Sequence, residues 1–281
     1  MGMPVPKMPA DWEPRPDPEE VDPFRYGWRP KYVRLVGGKI EEQRSPLTAE
    51  DLLDPQLGDV ILEDAPHARV SSFLFVLLDV HFEKDSGVLV THDLKLVWGI
   101  PGFKEPAPDI AVIRGPRVKN EAHETFDVTQ EGVRPCLVIE VVSPKYEEIR
   151  NNDYVKKKDI YERAGVSEYL IVEPYQVPTA PIRHWIGYRL GFDGRYQRIE
   201  PDGEGRLLSE STGLLFGIAE DGGFQVTNAR TGEVLLNQSQ LSAARDAAEE
   251  RAAREAEARK AAEAEIARLR TELDRRPNAR D

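Results

Sequence analysis

The chain has 281 residues, 40% of them hydrophobic, and a single cysteine, Cys136. That length suffices for one sizeable core with appendages. The lone thiol excludes an internal disulfide and a cysteine-built zinc site. No apolar run reaches the roughly eighteen residues of a membrane-spanning helix, and residues 1–30 lack the layout of a signal peptide. A reducing cytoplasm is the expected compartment. The net charge of −12 argues against a strong nonspecific grip on polyanions. The charge is uneven: residues 1–66 sum to −6, whereas residues 111–165 carry ten basic and ten acidic side chains.

Residues 1–45 begin rich in Pro and acid and are expected to form a partly disordered arm, with Tyr26 and Trp28 docking its end. Lys31–Lys39 reads as a strand closing in a glycine turn. Ser45–Leu53 reads as a short helix with Thr48 as N-cap and Asp51 at N3. From His67 to Phe82, apolar residues recur at spacings of three and four, which predicts a helix with one apolar face. Val88–Val90 and Leu94–Trp98 read as strands across a polar turn. A proline-rich loop then leads into the strand that starts at Asp109.

Residues 115–134 are polar and without periodicity, a long connection that suggests a flap or functional loop. Leu137–Val142 is continuously apolar apart from Glu140, as expected for a central strand covered on both faces. Glu147–Ala164 reads as a helix capped by Gly165. Tyr169–Val172 is a further buried strand, and the strand–helix–strand order predicts parallel neighbours. Short antiparallel strands follow at Tyr188–Leu190, Tyr196–Ile199, Gly213–Phe216 and Phe224–Val226. The main core is placed at 46–200 and a β extension at 201–239. Residues 240–281 form a helical or coiled-coil tail: Leu241–Leu273 lacks Gly and Pro, with a thin heptad seam at Ile266, Leu269 and Leu273. A solvated helix laced with i,i+4 ion pairs is the plain alternative.

The stretch from Pro108 to Pro174 organises the chain. Asp109 and Glu140 are 31 residues apart but sit on separate predicted strands. If those strands are neighbours, the carboxylates meet at one place. Mg²⁺ takes oxygen ligands, commonly one or two carboxylates with waters and substrate, and the carbonyl of Val141 is a plausible addition. Asp153, Lys157 and Tyr161 follow at i, i+4 and i+8, on one helix face. Lys157 can then reach the metal or a phosphate, with Asp153 holding it. The plain alternatives are a helix salt bridge for Asp153–Lys157 and loop amides for the acids. Glu140 fits the plain alternative poorly, because an acid inside an apolar strand is expensive without a partner; an arginine is the rival to a metal. Ser143 could fix Glu140 or a phosphate, or simply end the strand. His67, at a helix N-terminus, suits a phosphate or metal-bound water, or solvent. Glu63 is a weak third carboxylate. Cys136 reads as a small core residue.

These motifs resemble the Uma-type restriction endonuclease family of the PD-(D/E)XK nuclease superfamily. The residues that carry the resemblance are Pro108-Asp109-Ile110-Ala111-Val112, Leu137-Val138-Ile139-Glu140-Val141-Val142-Ser143-Pro144, Asp153, Lys157, Tyr161, Gly165-Val166 and Glu168-Tyr169. The resemblance implies an α/β fold, a restriction-endonuclease-like mixed sheet flanked by helices, with the charged C-terminal helix as an extension. It implies Mg²⁺-dependent cleavage of DNA, with Mn²⁺ as a substitute. Asp109 and Glu140 match the metal carboxylates. Val142 stands where the superfamily has lysine, and Lys157 matches the family's recurrent helix lysine. His67 matches a histidine common at the start of the early helix. The expected partner is nucleic acid, with no membrane, in a homo-oligomer. The rivals are a catalytically inactive nuclease fold that binds DNA or serves assembly, favoured by acidity and by Val142, and an interaction protein working through its C-terminal helix.

Overall fold

A computed structural model of the chain describes residues 22–117, 125–143, 146–173 and 184–274. The first half of the N-terminal arm, Pro144, Pro174 and part of the polar 115–134 segment lie outside the described residues, as do the side chains of Leu269 and Leu273. Two compact units divide the chain at Leu235/Leu236.

The first unit begins with a β-ribbon. β1 (Gly27–Arg34) pairs antiparallel with β2 (Ile40–Pro46), and the base of β1 also pairs with β3 (Val60–Ile61). β1 falls four residues earlier than the predicted strand, and β2 replaces the start of the expected helix. Its sequence, IEEQRSP, shows no apolar alternation because neither of its faces is covered. Only Asp51–Leu53 turns helically, as one 3-10 turn. The predicted capping pair is nevertheless made: Thr48 N–H donates to Asp51 Oδ2 at 2.8 Å and Asp51 N–H to Thr48 Oγ at 3.2 Å. Gly27 permits the close approach of β1 to β3, since a Cβ there would lie 1.8 Å from the Val60 carbonyl oxygen.

α1 (Ala65–Phe82) follows, capped by Asp64 with Pro66 in its first turn. The core sheet has the order β11-β10-β9-β8-β6-β4. Its strands are β4 (Val88–His92), β6 (Ile110–Arg114), β8 (Pro135–Val141), β9 (Glu168–Val172), β10 (Trp185–Leu190) and β11 (Tyr196–Arg198). β8 and β9 are parallel, as the helical crossover predicts; the other neighbours are antiparallel. The Lys95–Val97 strand, β5, does not hairpin with β4. It pairs in parallel with β7 (Thr125–Asp127), which leads into a four-residue helix, α2 (Val128–Glu131). These two elements lie in the segment read as structureless, where they are too short to show a period.

Alternation along each strand divides the core into two layers. Ile110, Val112, Leu137, Ile139 and Val141 face α1 and a three-stranded annex of β12 (Leu207–Ser209), β13 (Leu214–Ile218) and β14 (Phe224–Asn228). Ala111, Ile113, Val138 and Val142 face the helix that follows β8. This helix is continuous but not uniform. α3 (Glu147–Asn151) widens into a π turn at Asn152–Lys156 before α4 (Lys157–Ala164), and Gly165 ends it in the left-handed conformation. The second unit holds α5 (Gln238–Asp274), laced by i,i+4 pairs such as Arg245–Glu249 and Arg259–Glu263. Among the described residues no helix is long and apolar enough to cross a membrane.

Candidate active site

The site forms where β6 and β8 run together beneath α4. The β6–β8 register pairs Ile110 with Ile139 and Ala111 with Val138. One step further it sets Asp109 opposite Glu140, on the face turned toward α4. The two strands thus bring the two acids together. Asp109 Oδ2 accepts the Val141 backbone N–H at 2.5 Å and lies 3.2 Å from His67 Nε2. Among the described residues no hydrogen bond engages Asp109 Oδ1. Because a strand residue aims its N–H and C=O to the same edge, the Val141 carbonyl is directed toward the Asp109 side.

Glu140 is fully enclosed, and among the described residues no arginine reaches it. Lys157 Nζ donates to its Oε2 at 2.8 Å, and Tyr161 OH donates to its Oε1 at 2.7 Å. Lys157 also sits 2.9 Å from Asp153 Oδ1. The π turn widens the helix at Asp153 and still delivers Asp153, Lys157 and Tyr161 to one face. The neighbouring lysines point elsewhere: Lys156 pairs with Glu50 at 2.8 Å, and Lys158 lies 5.0 Å over the Tyr188 ring. Val142 is buried among apolar side chains.

A cavity of about 620 Å³ opens onto Asp109, Val141, Asp153, Lys157, His67 and Ser143. Glu140 and Tyr161 do not line it; they lie beneath Lys157 and brace it. Ser143 neither touches Glu140 nor merely ends the strand: its Oγ donates to Asp64 Oδ2 at 2.7 Å, while Asp64 Oδ1 caps α1 at the His67 N–H. His67 is not solvated. Its Nδ1 lies 3.3 Å from Glu63, the weak third carboxylate of the sequence. Asp93 also lines the cavity and escaped the sequence reading. It follows β4 in a left-handed conformation (φ 52°) that no local motif announces. The Asp64 cap also went unread, although the Asp-Ala-Pro-His pattern carries its signal.

The electrostatics follow from burial. Burial opposes the Asp109 charge, but His67, Lys157 and the Val141 amide outweigh it and hold the carboxyl below the usual range. Burial, with Asp109 and Asp153 adding to it against Lys157, pushes Glu140 up to about 8. Burial also raises Asp153. Burial and the nearby Asp109 and Glu63 lift Asp93 to about 7. His67 loses charge stability to burial yet is raised to about 11 by Asp109 and Glu63. Lys157 is raised too, since its three acidic neighbours overcome burial. Acids thus outnumber cations around the cavity.

A family model named Uma2, described as "Putative restriction endonuclease", matches residues 51–225, more than half of the chain. The chain belongs to the Uma2 family. No curated protein matches it. It is similar to a solved structure titled "Crystal structure of a putative nuclease belonging to DUF820 from Anabaena variabilis", with 16% identity and a TM-score of 0.37, covering 56% of this chain and 87% of that one. The Uma2 match spans every site residue named above, from Glu63 to Tyr161. It leaves out β1, β2 and α5.

The residues also bear on the metal that the family implies. Among the described residues no group of three or more His, Cys, Asp or Glu side chains forms a metal-ligating cluster. The donors that line the cavity are instead oxygen-only, a carboxylate oxygen of Asp109 and the Val141 carbonyl, while Glu140 lies beside them with both oxygens engaged by Lys157 and Tyr161. That set, with an excess of acids over cations around it, fits a hard divalent ion that keeps waters and takes further oxygens from substrate.

Proposed function

We propose that this Uma2 protein is a Mg²⁺-dependent endonuclease acting on DNA, with Mn²⁺ able to replace Mg²⁺. The observation that carries this reading is the convergence of Asp109, Glu140 and Lys157 at one end of the β6–β8 pair. Asp109 and the Val141 carbonyl would hold the ion, with Glu140 joining them through the oxygen that Lys157 releases, and the ion when bound supplies Lewis acidity and a water of lowered pKa. Lys157 stabilises negative charge developing on the phosphate, a role for a cation that is not itself a ligand. It takes the place of the strand lysine absent at Val142, because a four-carbon stem reaches the site from the helix. Asp153 directs the Lys157 ammonium, and Tyr161 fixes the Glu140 carboxylate. His67 orients Asp109, and Ser143 ties the end of β8 to the Asp64 cap of α1.

A second reading rests on one specific feature: both Glu140 oxygens are already engaged, by Lys157 and Tyr161. A nuclease fold kept for DNA binding or assembly would retain such a closed pair. Plasmid cleavage by the full chain separates the two. Nicking with Mg²⁺ or Mn²⁺ that stops with EDTA and is lost in Glu140→Ala supports the enzyme. DNA binding without cleavage under any divalent ion supports the second reading.

A further inference from the structure

A polyanion approaching this molecule meets a chain of net charge −12 and a cavity lined with carboxylates. Holding nucleic acid demands a basic surface, because phosphate contacts dominate affinity. The ribbon β1–β2 has the charge for such a surface. Between Gly27 and Pro46 five basic residues stand against two acidic ones, a net of +3, so the rest of the chain carries −15. Arg29 is committed to Asp59, through two hydrogen bonds of 2.7 Å. Arg44 is committed to Glu42 and lies 4.4 Å over the Trp28 ring. Lys31, Arg34 and Lys39 are exposed and make no ion pair among the described residues.

We infer that this ribbon is a docking arm that enters the major groove of duplex DNA. Three features select that partner. The B-DNA major groove, about 12 Å wide, admits a two-stranded ribbon; the A-form groove of duplex RNA is too narrow. Strand alternation puts Lys31 on one face and Arg34 on the other, with Lys39 at the turn, so both faces and the tip of the ribbon carry a cation. Tyr32, Val36 and Ile40 are 70%, 106% and 58% exposed, apolar surface suited to base edges and thymine methyls. The base of the arm is fixed beside the candidate active site. Tyr26, next to β1, lines the same cavity as Asp109 and Lys157, and Arg29 clamps β1 to Asp59 on that cavity's wall. A second copy of the ribbon is a poorer partner, since +3 repels +3.

The inference rests on the nuclease reading for its choice of DNA, and its test is separable from that reading. Binding of a duplex of about two helical turns is measured against salt for the full chain and for Lys31→Ala/Arg34→Ala/Lys39→Ala. The expected result is a slope of log K on log salt reduced by about 2 to 3, at roughly 0.9 per phosphate contact. Turnover of the small diester bis(p-nitrophenyl) phosphate should be unchanged in the variant. Duplex binding that is absent in the wild type or equal in both proteins overturns the arm. So does a variant that turns a dimer into a monomer while binding DNA normally, since a second copy is then the occupant. Tighter ribbon-dependent binding of duplex RNA also overturns it. Lack of turnover in both proteins sinks the nuclease reading but leaves the binding result to judge the arm.

Discussion

Asp153 and Lys157 stand four residues apart in the helix over the sheet, and Arg245 and Glu249 stand four apart in α5. Both pairs close, at 2.9 and 3.0 Å. The first pair's side chains are 4% and 12% exposed, the second's 80% and 67%. The same spacing therefore yields two different objects. In α5 water already solvates both charges, and the contact adds little. Under α4 the charges have no water to fall back on, so each depends on its partners, and Glu140 and Tyr161 are drawn into the same network. Spacing decides which groups meet; burial decides what their meeting is worth.

The largest effect should come from breaking the buried network. Lys157→Ala leaves Glu140 and Asp153 enclosed without their cation, a loss of about 3–5 kcal/mol by thermal or urea unfolding. If Lys157 were only a group reaching into the site, the fold would be indifferent to its removal; the burial of its partners contradicts that. A smaller effect should follow Tyr161→Phe, which removes one hydrogen bond to Glu140 and costs about 1–2 kcal/mol in the same assay.

Next comes the clamp at the base of the ribbon. Burial raises the Asp59 carboxyl, but the Arg29 guanidinium and the Gln56 amide more than reverse this and hold it below the usual range. A depressed folded pKa gives stability that is present above the unfolded value near 4 and is lost as pH falls through the folded value. Acid unfolding followed between about pH 5 and pH 2 should therefore be shallower in Asp59→Asn than in the wild type. A curve of unchanged slope would show that the clamp is not coupled to folding. The smallest effect is expected in α5, where Glu249→Ala should change helix stability by less than about 0.5 kcal/mol. A loss as large as that of Tyr161→Phe would erase the contrast between the two regions.

The parts of the fold that were legible are those where burial writes a pattern. Leu137–Val142 and Tyr169–Val172 read as central strands because both faces are covered, and Gly165 marked the helix end that its left-handed φ of 77° makes. Asp109, Glu140, Asp153, Lys157 and Tyr161 were legible for a related reason: acids in apolar strands need a partner, and a helical spacing gathers suitable partners on one face. What was hidden lacks such a pattern. β2 is exposed on both faces, so its sequence carries no alternation. β7 and α2 are too short for a period. The π turn makes no demand on side-chain type. Asp93 depends on one backbone angle after β4. The closure of Glu140 by Lys157 and Tyr161 together is a tertiary fact, since it needs the distance between sheet and helix.

The most direct test of the central claim compares three adjacent lysines. Lys156, Lys157 and Lys158 follow one another in the chain but meet Glu50, Glu140 and the Tyr188 ring. Plasmid nicking with Mg²⁺ is measured for the alanine variant of each, at a temperature where all three are folded, with rates corrected for folded fraction. Lys157→Ala should lose about 10²–10³-fold in rate, the scale of removing one preorganised electrostatic donor. Lys156→Ala and Lys158→Ala should stay near the wild type. Loss of cleavage in Lys156→Ala or Lys158→Ala, with Lys157→Ala still active, would contradict the assignment of the site.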